Sequence, residues 1–114
     1  MTTPRDRKDL FPGALEMMVL QTLLRQPLHG YALVQDIKRR SNDLLQVEEG
    51  SLYPALQRML RAGWVKARWG VSASGRRVRT YEMTEAGRQH LAREVSSFER
   101  MLEGIQLVLT PVRS

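Results

Sequence analysis

Glu49-Gly50-Ser51-Leu52-Tyr53-Pro54-Ala55-Leu56-Gln57-Arg58-Met59-Leu60-Arg61-Ala62-Gly63 is the stretch whose reading decides the fold. Leu52, Ala55, Leu56, Met59 and Leu60 recur at the three- and four-residue spacing of one helix face, a continuous apolar stripe. Proline fits the first turn, where its missing amide is an orphan in any case. Pro54 therefore predicts a helix start near Gly50 or Ser51, with either residue as the N-cap. Gly63 is suited to a left-handed cap at the other end. The opposite face carries Tyr53, Gln57 and Arg61, with Arg58 beside them and no glutamate among them. A hydroxyl, an amide and guanidinium groups can all read base edges or hold phosphates.

Downstream, residues 64–69 alternate Val65, Ala67 and Trp69 against Trp64, Lys66 and Arg68, and residues 78–83 form a second alternating run. Two glycines and two serines lie between them in residues 70–77, which reads as a hairpin loop ending in Arg76 and Arg77. A basic hairpin directly after a recognition-type helix is a wing, whose tip can reach backbone phosphates or the neighbouring minor groove. Trp64 and Trp69 are expected to anchor it to the core.

Upstream, residues 13–26 read as a helix with Leu15, Met18, Val19 and Leu23 on one face, closed by Pro27. A second helix over about 30–40 buries Leu33, Val34 and Ile37, and Ser41-Asn42-Asp43 then supplies turn formers. His29 is expected to be a structural hydrogen-bonding residue at the entry of that helix, and Tyr31 to pack within the domain. At the far end, Thr84-Glu85 opens a last helix that Pro111 stops. Along it Leu91, Val95, Phe98, Leu102, Ile105 and Leu109 keep a 4-3-4-3-4 spacing, a heptad seam that calls for a partner helix. Leu15 and Met18 of the first helix are expected to share that intermolecular contact.

Charge supports the same picture. The net charge of +6 on 114 residues is not spread evenly. Residues 50–81 hold Arg58, Arg61, Lys66, Arg68, Arg76, Arg77 and Arg79 and no acid, while the flanking segments are balanced or slightly acidic. An all-basic segment dominated by arginine suits nucleic acid. There is no cysteine and there are only two histidines, so neither a disulfide nor a metal-ligand spacing can be assembled. No nucleophile–base pair, paired carboxylate or phosphate-cradling glycine loop stands out, so no catalytic residue, no metal and no cofactor is expected. Apolar runs of about four residues are far short of the roughly 20 that a spanning helix needs, and no secretory leader is visible. A cytoplasmic protein without membrane contact is the expectation.

Three helices, a two-stranded β wing and a long terminal helix make a mainly α (α+β) winged helix-turn-helix protein. The expected division is an N-terminal arm over 1–11, a DNA-binding domain over 12–83 and a C-terminal dimerisation helix over 84–114. Leu28-His29-Gly30-Tyr31, the segment Glu49 to Leu56, Leu60 to Trp64 and the segment Arg79 to Arg88 together resemble, in order and spacing, the PadR family of transcriptional regulators. The single terminal helix resembles its small subtype. The resemblance implies a ligand-responsive repressor, dimeric through its N- and C-terminal helices. It also implies that Ser51 and Tyr53 touch DNA from the third helix, and Arg76 or Arg77 from the hairpin. Gln57, Arg58, Arg61 and Arg79 complete the candidate DNA-binding set. The expected partners are double-stranded DNA, a second copy of the chain and a small-molecule effector of unknown identity. No tryptophan follows position 69, so the drug-lining tryptophan of some small-subtype relatives is absent. The alternative from another class is a winged-helix module that binds a protein or structured RNA without regulating a promoter.

Overall fold

The structure, a computed structural model, describes residues 13–112. The elements run α1 (Ala14–Leu23), β1 (Leu28–His29), α2 (Gly30–Arg40), α3 (Glu49–Ala62), β2 (Val65–Val71), β3 (Arg77–Met83) and α4 (Glu85–Leu109). This is the winged helix-turn-helix arrangement, with a long terminal helix and a three-stranded antiparallel sheet of order β1-β3-β2. The expected N-terminal arm over 1–11 lies outside the described residues.

One core serves all the elements. Val19, Leu20 and Leu23 of α1 meet Leu33 and Ile37 of α2, and Leu52, Leu56 and Met59 of α3. Val65, Tyr81 and Leu91 close it from the sheet and α4. Leu20, Leu33, Leu52, Leu56 and Met59 are fully buried, each side chain contributing about 1.5–3 kcal/mol through removal from water.

Local chemistry sets most boundaries. His29 caps α2, its Nδ1 accepting from the Ala32 amide at 3.3 Å. Asn42 and Asp43, at φ 53° and 65°, take the left-handed conformation that their short polar side chains tolerate and so turn the chain after α2. Gly63 ends α3 at φ 80°. Thr84 caps α4, its hydroxyl accepting from the Gly87 amide at 3.1 Å and donating to the Gly63 carbonyl at 2.6 Å.

Several expectations are corrected. The third helix starts at Glu49, and its N-cap is Glu48 with no side-chain cap, not Gly50 or Ser51. Pro54 therefore sits in the second turn, and the carbonyl it leaves without an amide partner belongs to exposed Gly50, where water can supply the bond. The first helix stops at Leu23, short of Gln26. β1 was not anticipated. It pairs Leu28 with Tyr81 and His29 with Thr80, tying the start of α2 to the sheet. The hairpin loop is shorter than expected, so Arg77 lies in β3 and not in the loop. Tyr31 is 59% exposed and does not pack in the domain. Trp69 is 57% exposed and anchors nothing to the core, whereas Trp64 stacks on His90 of α4 at 3.5 Å. Leu91 is core within the protomer, so the heptad seam is not wholly intermolecular.

Candidate nucleic-acid interface

The outer face of α3 follows from its buried one. At about 100° per residue, Tyr53, Gln57 and Arg61 fall within about 80° of each other, on the side away from Leu52, Ala55 and Met59. All three are exposed, as are Gly50 and Pro54 between them, so the backbone itself is open to close approach there. Ser51 is half-buried at one margin.

At the other margin, the Tyr53 ring lies across the start of α2. A Cβ on Gly30 would meet its hydroxyl oxygen at 2.5 Å, so Gly30 is the residue that admits the ring. Burial, then the nearby Glu49 and Tyr81, push the Tyr53 hydroxyl above its ordinary pKa, and it stays a hydrogen-bond donor at any physiological pH. The folded value lies above the unfolded one. The associated stability is therefore present below about pH 10 and is lost as pH rises through the folded pKa.

Arg58 is set apart from this face. Its Nε and Nη2 donate to Glu16 Oε2 of α1 at 3.1 and 2.9 Å, so its charge is matched within the protein. Arg58→Ala is expected to cost about 0.5–1 kcal/mol of stability, as for a partly exposed pair. It should leave the salt dependence of DNA binding unchanged, measured as binding isotherms at several salt concentrations.

The hairpin sorts its cations onto two faces. Opposite residues of an antiparallel pair share a face, and the register pairs Val65, Ala67, Trp69 and Val71 with Met83, Tyr81, Arg79 and Arg77. This is the face that continues from the core. Lys66 and Arg68 stand on the reverse face, opposite Glu82 and Thr80, and Arg68 pairs with Glu82 at 3.4 Å. The seven basic residues of 50–81 therefore do not converge on one surface.

At the tip, the loop is closed by the Ser72 amide donating to the Arg76 carbonyl at 2.8 Å and by the Gly75 turn, φ 84°. The Arg76 amide donates back to Ser72 Oγ at 3.2 Å, which fixes the backbone from which Arg76 projects. Arg77 lies over the Trp69 ring at 4.6 Å and Arg79 over Tyr81 at 5.9 Å. Among the described residues, no acid pairs with Arg61, Arg76, Arg77 or Arg79. With Lys66 on the reverse face, these are the basic residues of 50–81 whose charge no described acid matches. Trp69 is the residue that sequence reasoning misplaced. The alternation puts position 69 on the face of buried Val65, and nothing in the sequence marks where the core ends along β2.

The expected dimer residues divide along α4. Leu91 is buried, Val95 and Phe98 are half-buried, and Val95 packs with Leu15 and Met18 of α1 against the protomer's own core. Leu102 and Ile105 are each 40% exposed, and Leu109 is more exposed still. Met101 and Val108 are also exposed, which leaves an unpaired apolar surface on the distal half of the helix. No described helix is long and apolar enough to cross a membrane, and no cluster of potential metal ligands occurs among the described residues.

Residues 19–93 match the Transcriptional regulator PadR-like family. The fold is similar to that of a transcriptional regulator from Clostridium thermocellum, with a TM-score of 0.82 at 22% identity over 90% of this chain and 99% of that one. A PadR family transcriptional regulator from Eggerthella lenta aligns with a TM-score of 0.78 at 26% identity, over 93% of this chain and 90% of that chain. Bacillus subtilis PadR, solved in complex with operator DNA, aligns with a TM-score of 0.64 at 21% identity over 72% of this chain and 46% of its own.

Proposed function

The chain belongs to the PadR-like family of DNA-binding transcriptional regulators and is not an enzyme, and from that premise we propose that it is a homodimeric, effector-responsive repressor. It acts in the cytoplasm on a two-fold operator. Residues 12–83 are its DNA-binding domain and 84–114 its C-terminal dimerisation segment, of which α4 spans Glu85–Leu109. In this reading α3 enters the major groove with Tyr53, Gln57 and Arg61 toward the bases, and Ser51 at its edge. Arg76, Arg77 and Arg79 of the hairpin hold the backbone beside it. Arg58 contributes as a brace between α1 and α3.

The observation that carries the reading is the set of arginines left without an acid on α3 and on the core-side face of the hairpin. The solved complex of Bacillus subtilis PadR with operator DNA supports duplex DNA as the partner. A second copy is supported by the apolar distal face of α4, where Phe98, Leu102, Ile105 and Leu109 continue the heptad spacing beyond the protomer's own core. Regulation by an effector rests on the family resemblance.

Two dimer-related α3 helices should meet major grooves about one helical turn, roughly 34–36 Å, apart. Footprinting on bound genomic fragments is expected to show paired half-sites at that spacing. Replacing both Arg76 and Arg77 by alanine removes four cations from the dimer and is expected to reduce the slope of log affinity against log salt by roughly 3.6, at about 0.9 per phosphate no longer neutralised. An unaltered slope would remove the hairpin from the interface. Preference for structured RNA over duplex DNA in direct competition would favour an RNA-binding module instead.

A further inference from the structure

We infer that Trp69 is a positioning residue for DNA binding, whose indole holds the Arg77 guanidinium for a backbone phosphate without neutralising it. The inference rests on the DNA-binding reading above and adds to it the residue that organises the hairpin's contact.

Trp69 is costly to explain otherwise. It lies on the face of β2 that buries Val65 at one end, yet it is 57% exposed because the core has ended before its position is reached. Its neighbour on that face, Val71, is more exposed still. A large apolar ring left in water at the most basic part of the chain contributes little to folding. What it does contact is Arg77, at 4.6 Å from the ring centroid and diagonal to it across the strand pair.

The partner's chemistry is the second half of the argument. Four other arginines are held by carboxylates: Arg39 by Asp36, Arg58 by Glu16, Arg68 by Glu82 and Arg88 by Glu85. A carboxylate orients a guanidinium but occupies its N–H edge and cancels its charge. An indole face orients it through the π surface and leaves the in-plane N–H fork and the full charge available. Arg77 is thus ordered before binding and still cationic. Side-chain ordering that would otherwise accompany phosphate contact has largely been met in the free protein. β3 starts at Arg77 and the hydrogen-bonded Ser72–Arg76 turn precedes it, so the backbone beneath the pair is fixed as well.

The test is a double-mutant cycle on the full chain, titrated with a labelled random-sequence duplex of about 30 base pairs at low salt, since phosphate contact needs no particular sequence. Trp69→Ala is expected to weaken binding about two- to fivefold per subunit, the equivalent of one exposed cation–π contact in each. Trp69→Phe should recover most of that. Arg77→Ala should weaken binding further and lower the salt slope by about 1.8, one phosphate contact in each of two subunits. In the Arg77→Ala background, Trp69→Ala should add no loss. Wild-type affinity in Trp69→Ala, or an undiminished effect of Trp69→Ala once Arg77 is gone, would overturn the positioning role and leave the DNA-binding reading standing. The second result would mean that the indole touches the duplex itself. Failure of the wild-type protein to bind the duplex would overturn both. Thermal midpoints of the Trp69→Phe and Trp69→Ala proteins, expected within a few degrees of wild type, exclude unfolding as the cause.

Discussion

Replacing Leu102 and Ile105 together by aspartate is expected to give a folded monomer that binds a two-half-site operator at least about 100-fold more weakly. Both side chains are 40% exposed in the protomer and lie beyond the positions of α4 that pack on the core, so the fold loses little. In a dimer the remaining exposure of these four side chains, two from each subunit, would be worth about 0.6–1.2 kcal/mol apiece. Four carboxylates in an apolar seam would add desolvation on top. A sum above about 5 kcal/mol displaces the association constant by more than a thousandfold. The operator then loses the second, effectively intramolecular binding event, worth about 10²–10⁴ in affinity. Light scattering reads the first effect and operator titration the second. A double mutant that remains dimeric would show that subunits meet through another surface.

Gly87→Ala is expected to be the most damaging single methyl group in the chain. A Cβ at position 87 would sit 2.0 Å from the Trp64 carbonyl oxygen and 3.0 Å from Met83 Cγ. The carbonyl is backbone, and it already accepts from the Thr84 amide at 3.0 Å, so it cannot move without breaking the entry of α4. Overpacking of this kind costs about 1–3 kcal/mol when side chains can yield, and more when backbone must move. A loss of about 3 kcal/mol would lower the thermal midpoint by more than ~10 °C in a domain of this size. Gly104→Ala is the control. It lies in the same helix with nothing within 4 Å, and it should stabilise the helix by up to about 1 kcal/mol. Equal midpoints for the two variants, by circular dichroism melting, would contradict the close approach at Gly87.

What was legible in the sequence is what short-range chemistry dictates. The α3 stripe, the Gly63 turn, the caps at His29 and Thr84 and the extent of α4 are each set by residues within a few positions of one another. What was not legible depends on partners distant in the chain. β1 is two residues long and exists because β3 offers Leu28 and His29 an edge. Arg58 looks like a neighbour of Gln57 until Glu16, 42 positions earlier, is brought against it. Position 69 alternates correctly with Val65, but alternation does not say where the core stops. The seam along α4 shows the same limit. A 4-3-4 spacing identifies an apolar face, yet it cannot divide that face between the protomer's own α1 and another molecule.

The α4 entry also bears on how such a protein could respond to a signal. Trp64 stacks on His90 with an interplanar angle of 11°, the Thr84 hydroxyl donates to Gly63, and Gly87 lies flat on the Trp64 carbonyl. Three contacts thus fasten the long helix to the short bend joining α3 to the hairpin. Through those contacts, a tilt imposed at the far end of a helix about 37 Å long would be carried into α3 and the hairpin, as a lever turns its own pivot. Regulation built on that gearing would change the span between two rigid heads and leave the shape of each intact.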